Sequence, residues 1–102
     1  MSKDKSIFLK FFENHSLIKI LDFFILFRDF SYTKKEIAKY SGVNWNSFLK
    51  VWPKLIEEKM IIFTKIIKNN KSYKLNLRNK LVRQLIRVDN LLCGLKSKKW
   101  NN

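Results

Sequence analysis

Residues Thr33–Leu55 read TKKEIAKYSGVNWNSFLKVWPKL, and this stretch decides the fold. Thr33 is an N-capping residue type, and Glu36 stands three places on. That is the spacing of a capping box, in which hydroxyl and carboxylate each accept from an amide the helix leaves unpaired. Ile37 and Ala38 follow, and alanine is small enough for a second helix to lie close. Gly42 ends the helix, because a residue without Cβ takes the left-handed conformation at little cost. Val43 then turns back toward the core, and Asn44 can cap the next helix. In that helix Phe48, Val51, Trp52 and Leu55 fall at i, i+3, i+4 and i+7, which is one face. The other face shows Asn46, Leu49 and Lys50, with Trp45 at its edge. Two helices joined in this way predict a helix-turn-helix, whose second helix offers its free face to a DNA major groove. An ordinary helical hairpin with a glycine turn shares these signals, and the residues downstream of Leu55 separate the two.

Met60–Ile67 is rich in β-branched and large apolar residues and predicts a strand. Lys68-Asn69-Asn70-Lys71 predicts a turn, since asparagine tolerates positive φ. Ser72–Leu77 alternates, with Tyr73, Leu75 and Leu77 on one face, and predicts the returning strand. A β-hairpin directly after a recognition helix is a wing. Asn79 can cap a last helix, Lys80 to Cys93, with Leu81, Val82, Leu85, Ile86, Val88 and Leu92 as its apolar face and Gly94 as its stop. Upstream, Ile7, Phe8, Phe11 and Phe12 suggest a short helix. Asn14 or Ser16 can cap another over Leu17–Arg28, whose polar residues form only a thin stripe. A helix apolar on nearly every side must be covered on nearly every side. Pro53 lies inside the recognition helix, where a proline costs about 3 kcal/mol and predicts a kink, or a break at Trp52.

The expected fold is therefore mainly α with a small β-hairpin wing: a winged helix-turn-helix with flanking N- and C-terminal helices. It takes residues 1–102 as one domain, with the helix-turn-helix at 33–58, the wing at 60–77 and the C-terminal helix at 80–93. At 102 residues the chain has room for a single core. Nine of its residues are phenylalanine, which predicts a core built largely from that side chain.

The net charge is +14, from 22 basic and 8 acidic side chains. So positive a chain repels itself unless a polyanion is near, which points to nucleic acid or an anionic surface. The charge is uneven: residues 1–30 carry net +1, residues 31–60 net +3 and residues 61–102 net +10. The single cysteine, Cys93, forms no intrachain disulfide and suits a reducing, intracellular setting. Ile7–Leu9, cut short by Lys10, is too short for the apolar core of a signal peptide, and Phe23–Phe27 is far below a membrane span. The expected location is cytoplasmic and nucleoid-associated, with no membrane partner.

DNA binding needs cations and amides for phosphates, and groove-facing side chains for base edges. Asn46 has the donor and acceptor to pair with adenine, Ser47 and Lys50 can reach bases or phosphates, and Leu49 can meet a thymine methyl. Thr33 and Lys34 open a helix, where free amides favour phosphate. In the wing Lys65, Lys68 and Lys71, with Asn69 and Asn70, suit phosphate or minor-groove contact. Two plainer roles stand beside these: Trp45 can simply pack on Tyr40, and the wing lysines can simply guard a strand edge. No catalytic set is legible. Glu57 and Glu58 are adjacent and do not face each other. One histidine, His15, and one cysteine make no metal set, and two glycines make no phosphate loop. No enzyme activity, metal or cofactor is expected.

From Leu17 to Leu92 the chain resembles small archaeal winged helix-turn-helix transcriptional regulators. The resemblance rests on Ile20-Leu21-Asp22-Phe23-Phe24, Lys35-Glu36-Ile37-Ala38 and Ser41-Gly42-Val43. It continues in Val51-Trp52-Pro53-Lys54-Leu55, Tyr73-Lys74-Leu75-Asn76 and Leu81-Val82. It implies a winged-helix fold, double-stranded DNA as ligand and a homodimer. Glycine is common in that family where Lys59 stands and near Lys68, and arginine where Lys65 stands, so the wing tip differs. An architectural DNA-coating protein with little sequence preference, or a protein-interaction module on the same scaffold, are the other functions the residues allow.

Overall fold

The computed structural model describes residues 14–95. The short helix expected around Ile7–Phe12 and the basic tail from Lys96 lie outside them. In chain order the elements are α1 (His15–Leu26), β1 (Tyr32–Thr33), α2 (Lys34–Ser41), α3 (Trp45–Glu57), β2 (Ile61–Ile67), β3 (Asn70–Leu75) and α4 (Lys80–Leu95). The described chain is thus mixed α/β, with four helices and one three-stranded antiparallel sheet in the order β1-β3-β2. The third strand corrects the expectation of a lone hairpin. Two residues are too few to show an alternating pattern, and β1 exists because Tyr32 and Thr33 find Tyr73 and Ser72 across from them.

The helix ends obey local chemistry closely. Asn14, not Ser16, caps α1, its Oδ1 accepting from the Leu17 amide at 3.1 Å. Both halves of the capping box are present in α2: Thr33 Oγ1 accepts from the Glu36 amide at 3.3 Å, and Glu36 Oε1 accepts from the Thr33 amide at 2.8 Å. Gly42 follows α2 at φ +74°. Its N–H donates to Lys39 O, and the Val43 N–H reaches back to Ala38 O, which makes a Schellman turn. Asn44 then caps α3 through the Ser47 amide at 2.9 Å.

Helix α3 runs unbroken through Pro53, so the break considered at Trp52 does not occur. The missing proline N–H leaves the Leu49 carbonyl without its helical donor. Leu49 and Pro53 are both exposed, which puts that carbonyl within reach of water. The helix ends in the same Schellman turn as α2, with Lys59 in the glycine position: Lys59 sits at φ +59°, its N–H donates to Ile56 O, and the Met60 N–H donates to Leu55 O.

One face of each helix meets in the core. Ile20, Phe24, Ile37, Phe48, Leu55, Ile61, Leu75 and Val82 are completely buried. Among the described residues aliphatic side chains outnumber aromatic ones there, so this part of the core is not the phenylalanine core expected from composition; Phe27, Phe30 and Phe63 are exposed, and Phe8, Phe11 and Phe12 lie outside the described residues. The hairpin turn is tighter than expected. Only Lys68 and Asn69 form it, at φ +51° and +67°, the double positive φ of a type I′ turn, while Asn70 and Lys71 already belong to β3. β3 stops at Leu75, so Leu77 is off the sheet and exposed. β2 is an edge strand with only Ile61 buried. A bulge between Phe63 and Lys65 interrupts it, and Thr64 Oγ1 lies 3.0 Å from Ser31 Oγ and 3.2 Å from Ser72 O. The bulge and Lys65 protect this edge against another strand.

Asn79 caps α4 through the Val82 amide at 3.0 Å. The same side chain donates to the carbonyls of Glu58 and Lys59, at 2.9 and 3.2 Å, and so pins the start of α4 to the end of α3. Gly94 does not stop α4, which continues to Leu95. Its φ is not positive, and a glycine in a helical conformation weakens a helix without ending it.

Candidate nucleic-acid interface

Antiparallel pairing of β1 with β3 carries the first turn of α2 to the tip of the hairpin. Between them lies an open cleft of about 410 Å³, lined by Thr33, Lys34, Lys35, Trp45, Asn69, Asn70, Lys71 and Tyr73. Six of the twelve residues expected to contact DNA meet here: Thr33, Lys34, Trp45, Asn69, Asn70 and Lys71. Three lysines line the cleft, and no carboxylate does among the described residues. The nearest in sequence, Glu36, is occupied by the Thr33 amide. The first amides of α2 have no acceptor within their own helix and carry its positive dipole end. Thr33 Oγ1 accepts from Glu36, which leaves its hydroxyl hydrogen to donate. Cations, free amides and a hydroxyl in one concave place make a receptor for an anionic oxygen.

Trp45 forms one wall. Its ring stacks on Phe48 with centroids 5.1 Å apart and 11° between planes; Phe48 stacks on Trp52 at 5.0 Å, and Trp52 meets Tyr73 edge-on at 4.9 Å. This row anchors a tryptophan that stays 42% exposed. Trp45 does not pack on Tyr40, the alternative open from sequence; Tyr40 belongs to a separate cluster with Phe23 and Tyr32. There burial, then Glu36, then Tyr40 push the Tyr32 phenol above its ordinary value.

The other expected residues lie around the cleft. Asn46, Leu49 and Lys50 are exposed along the outer face of α3, and Ser47 is half-buried beside its capping bond to Asn44. Lys65 and Lys68 are exposed on the hairpin but line no part of the cleft. Sequence reading missed Lys35 and Tyr73. Lys35 had a signal, being the second residue of a capped helix. Tyr73 had none, because only its pairing with Tyr32 brings it to the cleft.

Among the described residues no group of three or more His, Cys, Asp or Glu could hold a metal ion, and no helix is long and apolar enough to cross a membrane. Comparison with protein-family models, curated proteins and solved structures finds no match to this chain.

Proposed function

We propose that the chain is a transcriptional regulator of the winged helix-turn-helix class that binds double-stranded DNA. The carrying observation is the lysine-lined cleft between the start of α2, the start of α3 and the hairpin tip. In this reading a backbone phosphate sits in the cleft on Lys34, Lys35, Lys71 and the first amides of α2. The exposed stripe Asn46, Leu49 and Lys50 then faces base edges in the major groove, with Asn46 the one side chain able to pair bidentately with adenine. Lys68 at the hairpin tip reaches a neighbouring phosphate.

The test compares two changes by fluorescence anisotropy across a salt series. Lys34→Gln with Lys71→Gln weakens binding to every duplex alike and flattens the plot of log affinity against log salt by about 0.9 for each phosphate no longer neutralised. Asn46→Ala costs about 1–3 kcal/mol on a selected site and little on random DNA, with the slope unchanged. If Asn46→Ala weakens all sequences equally, the architectural reading replaces the regulator. If the lysine pair changes neither affinity nor slope, the cleft is not on DNA.

The reading includes a homodimer. Leu81, Leu85, Val88 and Leu92 recur along α4 at intervals of four, three and four residues, the spacing of a helix–helix seam. Leu81, Val88 and Leu92 are exposed, while Leu85 among them packs partly against the core of its own chain. A second copy covers this stripe in the proposed dimer, and sedimentation at micromolar concentration checks it.

A further inference from the structure

Outside the cleft, a second basic surface is built where α4 begins. An open groove of about 680 Å³ is lined by Arg28, Leu77, Lys80, Arg83, Gln84, Ile86 and Arg87. Lys80, Arg83, Gln84 and Arg87 stand at i, i+3, i+4 and i+7, so they form one stripe along α4. Arg28 faces them from the loop after α1, held by a 2.9 Å bond from Nη1 to Ile25 O that uses one of its five donors. Four cations, three of them arginine, line the groove, and no carboxylate does among the described residues. Arginine forks match phosphate oxygens bidentately.

The groove is separate from the cleft. They share no residue, and they lie at opposite ends of the hairpin, whose seven-residue strand β2 spans about 20 Å. The end of α3 meets the start of α4. The exposed Glu57 and Glu58 close α3 at its negative dipole end, and the Glu58 carbonyl is bonded directly to Asn79 at the start of α4. At 100° per residue Arg83 and Arg87 stand about 120–160° around α4 from the centre of the exposed seam of Leu81, Val88 and Leu92, so covering the seam leaves both arginines open, while Gln84 borders it.

We propose that this groove is a second phosphodiester-binding site, which holds a nucleic-acid segment other than the one in the cleft, so that one chain bridges two duplex segments. The proposal rests on the DNA-binding reading for its first segment only. The test is a capture assay: one duplex is tethered to beads, protein is added at low salt, and retention of a second, labelled duplex is measured. Wild-type protein retains the second duplex. Arg83→Gln with Arg87→Gln, both exposed positions, still binds the tethered duplex but loses capture, and the salt dependence of any residual capture is flatter by about 0.9 for each cation removed. Lys19→Gln with Lys39→Gln removes the same charge from exposed positions outside both sites and keeps capture. Urea midpoints of both double variants verify folding. Three outcomes overturn the proposal: no capture by wild-type protein, equal capture by the arginine variant (which assigns bridging to two copies of one site), or equal loss in both variants, which assigns it to diffuse charge. The cleft is judged separately, because Lys34→Gln with Lys71→Gln weakens binding to the tethered duplex and not the groove.

Discussion

Replacing Lys59 with glycine is expected to stabilise the protein, although it removes a side chain and adds chain entropy. Helices α2 and α3 end in the same Schellman turn, one with Gly42 at φ +74° and the other with Lys59 at φ +59°. A residue with Cβ in this region costs about 1–2 kcal/mol relative to glycine. Glycine in turn gives back about 0.4–1 kcal/mol through the freedom of the unfolded chain. The difference leaves Lys59→Gly more stable by about 0.5–1 kcal/mol. For a domain of this size 1 kcal/mol moves Tm by roughly 4–8 °C. Gly42→Ala is the mirror experiment. A Cβ there meets nothing within 4 Å, so its penalty is purely conformational and should be a destabilisation of similar size. Urea unfolding followed by circular dichroism reads both, with Lys59→Gln as the control for charge, expected within a few tenths of a kcal/mol of wild type. A Lys59→Gly protein that unfolds at the wild-type midpoint or earlier would refute the reasoning, since it would mean that Lys59 does not occupy the left-handed region in solution.

Ser72 Oγ is buried without a hydrogen-bond partner, so Ser72→Ala should be neutral or stabilising by about 1 kcal/mol in urea unfolding, where a serine with a partner would lose stability. The Tyr32 phenol, raised by burial and then by Glu36 and Tyr40, holds its proton more tightly folded than unfolded. Its contribution is therefore complete below the ordinary phenol value and is lost as pH rises through and beyond it. Tyr32→Phe should remove that part of the alkaline loss, read as a flatter plot of urea midpoint against pH above about 10. Thr33→Ala breaks the capping box and should cost about 1 kcal/mol, and it should also weaken DNA binding if the cleft is the phosphate site. Val88→Lys places a charge in the exposed α4 stripe; it should abolish a dimer in sedimentation with little change in monomer folding, because Val88 is already exposed.

Much of this protein is written in short-range chemistry. The caps at Asn14, Thr33, Asn44 and Asn79, the glycine turn at Gly42, and the buried face Phe48, Val51, Trp52 and Leu55 were legible, because each depends on residues within one or two turns of helix. Half of the residues expected on DNA came together in one cleft for the same reason, since a capped helix start and a lysine–asparagine turn carry their own signals. The features hidden from sequence depended on partners far along the chain. β1 is two residues that become a strand only against Tyr73 and Ser72. That pairing alone brings the start of α2 to the hairpin tip and so makes the cleft. Leu77, Gly94 and the many phenylalanines misled because hydrophobicity and backbone freedom are properties of a residue, whereas burial and termination are decided by the groups packed opposite. The groove on α4 obeys the same rule: the i, i+3, i+7 spacing of Lys80, Arg83 and Arg87 is in the sequence, but only the fold sets Arg28 across from them.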